Sequence, residues 1–515
     1  MSRVSKSIKN AKVGAFFFIL SIFVQFFSRK IFLDFLGDEF IGLTSTLRSI
    51  LGFLNLAELG IGTAIGYALY RPVFDKNHIE INKVIALLGV MYKKIGFFIF
   101  GAGVLISLFF PFWFDDVDFS LGLVYFVFLS FLTSTLLSYF INYHMTLLEA
   151  DQKGYVVQIY FQSLNILRLL LQAALAYYLQ SYYAWIIMEV IFSTFFSIIL
   201  RIKVKQEYPW LIIKSKETAN IIKSYPDVIK KVKQLFIHKM GAFVKDGTDN
   251  ILVFILVSLE SVAYFGNYML IFNQLTSLVK ITFAGTGAGI GNLVAENNKK
   301  NISKVFWEMM ALQFFIAGFL SLAIYYLISP FVVLWLEDEK YILDKAIILL
   351  MIANFFISIV RSPVQHFQNA YGLFSDTWAP AVEILINLVI SFICGKIWGI
   401  FGIMLGTFTS LSIIVIFWKP YFLYSKGFNI SVWQYWKRFI PLMTVFIISA
   451  FAVDFIFIEF INQTATNIFQ WCLNGILLSL VILFVYGLSM YIISKGFRDF
   501  CIRASKLILN KIEKT

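Results

Sequence analysis

Runs of about twenty apolar residues recur from one end of the chain to the other, separated by short polar breaks, and they leave few architectures open. A backbone N–H or C=O without a partner is costly in hydrocarbon, so each crossing segment must close its hydrogen bonds internally or in a barrel. At 1.5 Å per residue, twenty residues cover about 30 Å of hydrocarbon as an α-helix. Outer-membrane barrels use alternating segments of about ten residues instead. With 59% hydrophobic and 14% charged residues and a mean hydropathy of +0.80, an ordinary soluble domain is excluded. The chain reads as an all-α polytopic membrane protein.

The apolar runs place about fourteen transmembrane helices. They lie near 13–34, 41–70, 86–113, 120–148, 156–179, 182–202, 240–258, 262–290, 305–335, 346–366, 378–395, 398–418, 437–458 and 468–493. The first is too long for a signal-peptide core and lacks a small-residue cleavage site, so it counts as a span. Alternate connecting segments hold 34 Lys and Arg residues, and the opposite loops hold five: Arg29, Lys30, Lys340, Lys345 and Lys396. The positive-inside rule then puts both termini and the long 203–239 loop in the cytoplasm. The net charge of +13 is spread over eight segments, so it reports topology and gives no nucleic-acid partner.

The sequence also repeats itself. Lys12-Val-Gly-Ala-Phe16 returns as Lys239-Met-Gly-Ala-Phe243, and Gly62-Thr-Ala-Ile-Gly66 returns as Gly287-Ala-Gly-Ile-Gly291. Gly42 matches Gly266, Ile81-Asn-Lys-Val84 matches Ile302-Ser-Lys-Val305, and His144 matches His366. Five matches in order, at offsets of 221 to 227, imply two six-helix pseudo-symmetric lobes plus two C-terminal helices. The expected divisions are an N-terminal lobe at 1–202, a basic linker at 203–239, a second lobe at 240–418, and appended helices with a basic tail at 419–515.

Ionised side chains inside such segments are costly and therefore informative. The second lobe carries Lys245, Asp246, Asp249 and Lys280; the first carries Arg48, Glu58 and Arg168. Lys245 and Asp249 share a helix face at i, i+4 and could form a structural pair, while Glu58 could cap a helix or snorkel. Arg48, Arg168 and Lys280 have no partner nearby in sequence. With Lys245 they are the candidates to line a cavity for an anionic head group. Glu58, Asp246, Asp249 and Glu383 are the candidates for ion coupling, and Glu189 is a weaker one that could pair between helices. No catalytic constellation stands out. Cys394, Cys472 and Cys501 form no paired motif, the four histidines are scattered, and Asp115, Asp116 and Asp118 read as a solvated loop, so no metal site and no cofactor is expected. The glycine run Gly285 to Gly291 follows no strand and reads as close helix packing or a hinge.

Three stretches carry a resemblance: Asn55-Leu-Ala-Glu-Leu-Gly-Ile-Gly-Thr-Ala-Ile-Gly-Tyr-Ala-Leu-Tyr-Arg-Pro72, Thr248-Asp-Asn-Ile251 and Tyr264-Phe-Gly-Asn-Tyr268. They resemble signature stretches of the bacterial polysaccharide transporter family, Wzx-like flippases of the multidrug/oligosaccharidyl-lipid/polysaccharide exporter superfamily. The resemblance implies a two-lobe, multi-pass protein of the bacterial cytoplasmic membrane. Its function would be to move undecaprenyl-pyrophosphate-linked oligosaccharide to the outer leaflet for O-antigen, capsule or exopolysaccharide synthesis. The implied mechanism is alternating access with H+ or Na+ as a coupling ion. The implied partners are the lipid-linked oligosaccharide, membrane lipids and other polysaccharide-assembly proteins. Two other readings stand beside it: a multidrug/cation antiporter of the same superfamily, and a membrane glycan polymerase or ligase. Enzymes of the last kind work outside, whereas the long loop here is on the expected cytoplasmic side.

Overall fold

The computed structural model describes residues 3–58, 60–115, 117–212, 224–283, 286–460 and 465–512. The side chains of Lys245 and Asp246, and Asp116, lie outside the described residues. The protein is all-α, with no strand among the described residues, and eleven helices are long and apolar enough to cross a membrane.

Three of the expected spans depart from that standard for physical reasons. The 41–70 segment is two helices, Asp38–Leu54 and Ile61–Phe74, separated by a 3₁₀ turn at Asn55–Glu58. Gly60 takes φ 92°, which breaks the α-helix and which glycine adopts without steric cost. The 240–258 segment is the apolar end of a longer helix, Pro226–Leu256, whose start carries the lysines of the basic loop. The 262–290 segment falls on Leu259–Phe283, diluted by polar residues, and on the start of Thr286–Ala295.

Local structure repeats with the sequence. Asn77 caps His78–Ser107 by accepting the Glu80 N–H at 3.0 Å, and Asn298 caps Lys299–Leu336 by accepting the Asn301 N–H at 3.2 Å. The rare left-handed residues recur too: Lys76 with Asn297, Gln152 with Gly372, and Gln180 with Gly399. Each copy also has a short helix, Ile61–Phe74 holding Gly62 and Gly66 and Thr286–Ala295 holding Gly287 and Gly291.

The chain packs as two compact units, Met1–Gly266 and Asn267–Thr515. In the first, Arg3–Leu36 lies along Gly154–Leu179, and Tyr182–Glu207 packs on both Leu121–Phe140 and Gly154–Leu179. Pro226–Leu256 opens the second sequence copy yet packs on Asp38–Leu54 and Ile61–Phe74. Asn250 donates to Ser49 Oγ at 3.1 Å, and Phe254 stacks on Phe114. In the second unit, Trp378–Trp398 and Ile400–Ser410 approach closely because Gly402 and Gly406 face the backbone of Cys394 and Ser391. Small residues allow this contact between membrane helices, and polar side chains then bridge it. Asn387 donates to Thr407 Oγ1 at 3.0 Å and Ser391 to the Ile403 carbonyl at 2.9 Å. The C-terminal helices Ile468–Ile482 and Lys495–Ile512 pack on Lys299–Leu336, where the Tyr486 hydroxyl donates to the Phe314 carbonyl at 2.9 Å over Gly318.

An added side chain at Gly406 would meet the Asn387 carbonyl oxygen at 2.9 Å, backbone that cannot rotate away. Gly406→Val is expected to destabilise the second unit by about 1–3 kcal/mol, read as a lower thermal midpoint in detergent. An unchanged midpoint would refute the close-packing role.

Candidate functional site

In the first unit two arginines meet at one carboxylate. Gly154–Leu179 and Tyr182–Glu207 form a helical hairpin that turns at the left-handed Gln180, with Ser181 capping the second helix. Arg168 and Glu189 stand twelve and nine residues from Gln180, about 13 to 18 Å along their helices, and so at comparable depth. Arg168 Nη1 donates to Glu189 Oε2, and its Nη2 donates to Asn165 Oδ1 at 2.6 Å. From Asp38–Leu54, Arg48 Nη2 reaches the same Glu189 oxygen at 2.8 Å and lies 4.2 Å over the Phe131 ring.

Two guanidinium groups on one carboxylate leave one positive charge in excess. Their roles differ by exposure: Arg168 and Glu189 are each 14% exposed, whereas the Arg48 side chain is 45% exposed. Arg168 with Glu189 is therefore the anchored inner pair. Arg48 is an outer arm with N–H donors left for an anion. Sequence reasoning found no local partner for either arginine because Glu189 is 141 and 21 residues away. It noted Glu189 as an interhelical pairing candidate without placing it at the centre.

Glu58 is held by a tyrosine. It lies on the 3₁₀ turn and accepts the Tyr92 hydroxyl at 2.5 Å, while Tyr139, edge-on to Tyr92, donates to Asn55 Oδ1 at 3.1 Å. Asp249 is buried on Pro226–Leu256, the helix that packs against this turn. The proposed pairing of Lys245 with Asp249 lies outside the described residues.

In the second unit Lys280 lines a polar cavity of about 320 Å³. Arg361 and His366 join it there, with the amides of Gln313, Gln365 and Asn369 and no carboxylate among the lining residues. Gln313 is 1% exposed, and neither its Nε2 nor its Oε1 has a hydrogen-bond partner among the described residues. A buried, unsatisfied amide costs about 1–3 kcal/mol, so this one is suited to a ligand. Two fixed cations and spare N–H donors favour an oxyanion. Sequence reasoning missed Arg361, counted as a loop cation, and Gln313, hidden as a neutral residue in an apolar run. The repeated histidine His366 was the available signal. Glu383 stands apart from this cavity, half-buried on Trp378–Trp398. Among the described residues no group of His, Cys, Asp and Glu could hold a metal ion.

Removing one member of a buried pair strands the other, at about 3–5 kcal/mol. Arg168→Ala is therefore expected to destabilise the first unit strongly, and Arg48→Ala by about 1 kcal/mol or less, as for an exposed ion pair. Equal losses of thermal midpoint in the two variants would overturn the distinction between anchor and arm.

No protein-family model and no curated protein matches the chain. Solved structures do. The chain is similar to the lipid II flippase MurJ in an inward closed conformation, at 16% identity and a TM-score of 0.63, over 93% of this chain and 98% of that one. It is similar to an inward-facing multidrug resistance MATE family transporter of the MOP superfamily, at 13% identity and a TM-score of 0.57, over 78% and 94%. A MOP superfamily transporter from Pyrococcus furiosus, whose binding pocket is described as of reverse polarity, matches at 13% identity and a TM-score of 0.52, over 82% and 96%. At these identities the likeness is one of fold, and it extends over most of this multi-pass chain.

Proposed function

We propose that the protein is a flippase that carries undecaprenyl-pyrophosphate-linked oligosaccharide from the cytoplasmic to the outer leaflet of the bacterial cytoplasmic membrane by alternating access. The observation that carries this reading is the Arg48–Glu189–Arg168 cluster, an excess positive charge held among apolar helices. Arg48 would meet the pyrophosphate as the exposed arm, and Arg168 would hold Glu189 in place. The carboxylate-free cavity of Lys280 and Arg361 supplies a second group of oxyanion donors. A fold shared with a lipid II flippase supports a lipid-linked substrate. Translocation of this kind requires no covalent step. The polar head needs shelter from hydrocarbon, and the prenyl chain can stay in lipid.

A multidrug/cation antiporter is the second reading, favoured by the fold shared with a multidrug resistance transporter. Excess fixed cations at the site disfavour positively charged drugs. In the flippase reading the buried Asp249 and the partly buried Glu58 are the carboxylates suited to H+ or Na+ coupling.

Leaflet translocation of a short undecaprenyl-pyrophosphate oligosaccharide in proteoliposomes tests the proposal. Wild type is expected to translocate it under an ion gradient. Well-folded Arg48→Ala and Lys280→Ala are expected to lose at least tenfold, about 1.4 kcal/mol per decade. Asp249→Asn is expected to abolish the gradient dependence while sparing substrate binding. Normal transport by the cation variants would remove the site assignment. A wild type that moves no lipid-linked glycan but exports a cationic drug would establish the antiporter.

A further inference from the structure

A second charged cavity, outside the residues assigned above, lies within the second unit where three helices begin or end. It measures about 850 Å³. Lys300 and Lys304 come from the first turns of Lys299–Leu336, Lys437 and Arg438 from the start of Trp433–Phe460, and Lys495 opens Lys495–Ile512. Asp499 is the only carboxylate among the lining residues. Nearby Glu308 is engaged by Arg503 at 2.6 Å and by Lys304 at 3.9 Å, which leaves the cavity strongly positive.

Its other wall is apolar. Trp307, Leu442 and Ile493 face the same space, and the Arg438 guanidinium stands 5.4 Å over the Trp307 ring. Ile493 is the last residue of the apolar span Ile468–Ile493, and the charged helix Lys495–Ile512 follows at once. Gly496 is pressed against the Trp307 carbonyl, so that helix starts in contact with Lys299–Leu336. Cations and hydrocarbon therefore meet in one cavity at the level where the spanning segments end. A soluble anion would use only the charged half.

We propose that this cavity is a binding site for an anionic phospholipid. The head-group phosphate sits among Lys437, Arg438 and Lys495, and the first acyl carbons lie against Leu442, Ile493 and Trp307. Basic pockets at the ends of membrane helices attract anionic lipids electrostatically, with an effect of about fivefold in affinity per Lys or Arg. The site is separate from the residues given to the transported substrate, and it stands whether or not the transport reading does.

The test is titration of the purified full-length chain in neutral detergent, with binding read as a saturable rise in thermal midpoint. Dioleoyl phosphatidylglycerol is the probe, with dioleoyl phosphatidylcholine and glycerol 3-phosphate as comparisons. Wild type is expected to saturate with phosphatidylglycerol alone. The triple variant Lys437→Ala, Arg438→Ala, Lys495→Ala should need about fivefold more lipid per cation removed. A control triple, Lys203→Ala, Lys205→Ala, Lys231→Ala, should titrate like wild type. Equal titration of the two triple variants overturns the site, as does phosphatidylcholine matching phosphatidylglycerol. Saturation by glycerol 3-phosphate at the same concentration overturns the lipid assignment in favour of a soluble phosphate.

Discussion

Electrostatic cost in hydrocarbon governs this structure. It requires every backbone group in a span to be hydrogen-bonded locally, which makes the chain helical, and it excludes ionised side chains unless they meet partners. Of the 43 Lys and Arg residues most are assigned to connecting segments by the sequence division, and Arg48, Arg168, Lys245 and Lys280 are the ones singled out inside apolar runs. The structure shows how two of them are accommodated: Arg48 and Arg168 converge on Glu189, and the surplus charge sits on the more exposed Arg48.

The same cost explains how the helices are broken. Glu58 is held by Tyr92 at a 3₁₀ turn, and left-handed Gly60 separates that turn from the next helix. A continuous helix through this region would not present the carboxylate to the same tyrosine. In the second copy the short helix Thr286–Ala295 carries no acidic residue. Here the repeat keeps the paired glycines and drops the charge. The result is a duplicated scaffold whose two copies carry different chemistry, a carboxylate-centred cluster in one and a carboxylate-free cavity in the other.

Neutral polar residues carry as much of the argument as charged ones. Asn387 and Ser391 bridge helices that glycines allow to approach, donating across that contact to Thr407 and to the Ile403 carbonyl. Gln313 is equally buried; it lines the cavity of Lys280 and Arg361, and neither amide atom has a partner among the described residues. What separates the bridging amide from the one beside the cavity is its surroundings.

Hydropathy alone determined that the chain is an all-α membrane protein, because spanning length and helix period are local properties of sequence. It also marked Arg48, Arg168, Lys280 and Asp249 as exceptional, since a charge in an apolar run is visible without a structure. Hydropathy overran the breaks at Glu58 and Gly60, where a single glycine's backbone angle decides the matter. Only the tertiary structure decided that Glu189 serves two arginines, that Tyr92 holds Glu58, and that Gln313 and Arg361 accompany Lys280. Those meetings depend on the rotation and register of helices distant in the chain, and a one-dimensional pattern does not encode which faces turn toward one another.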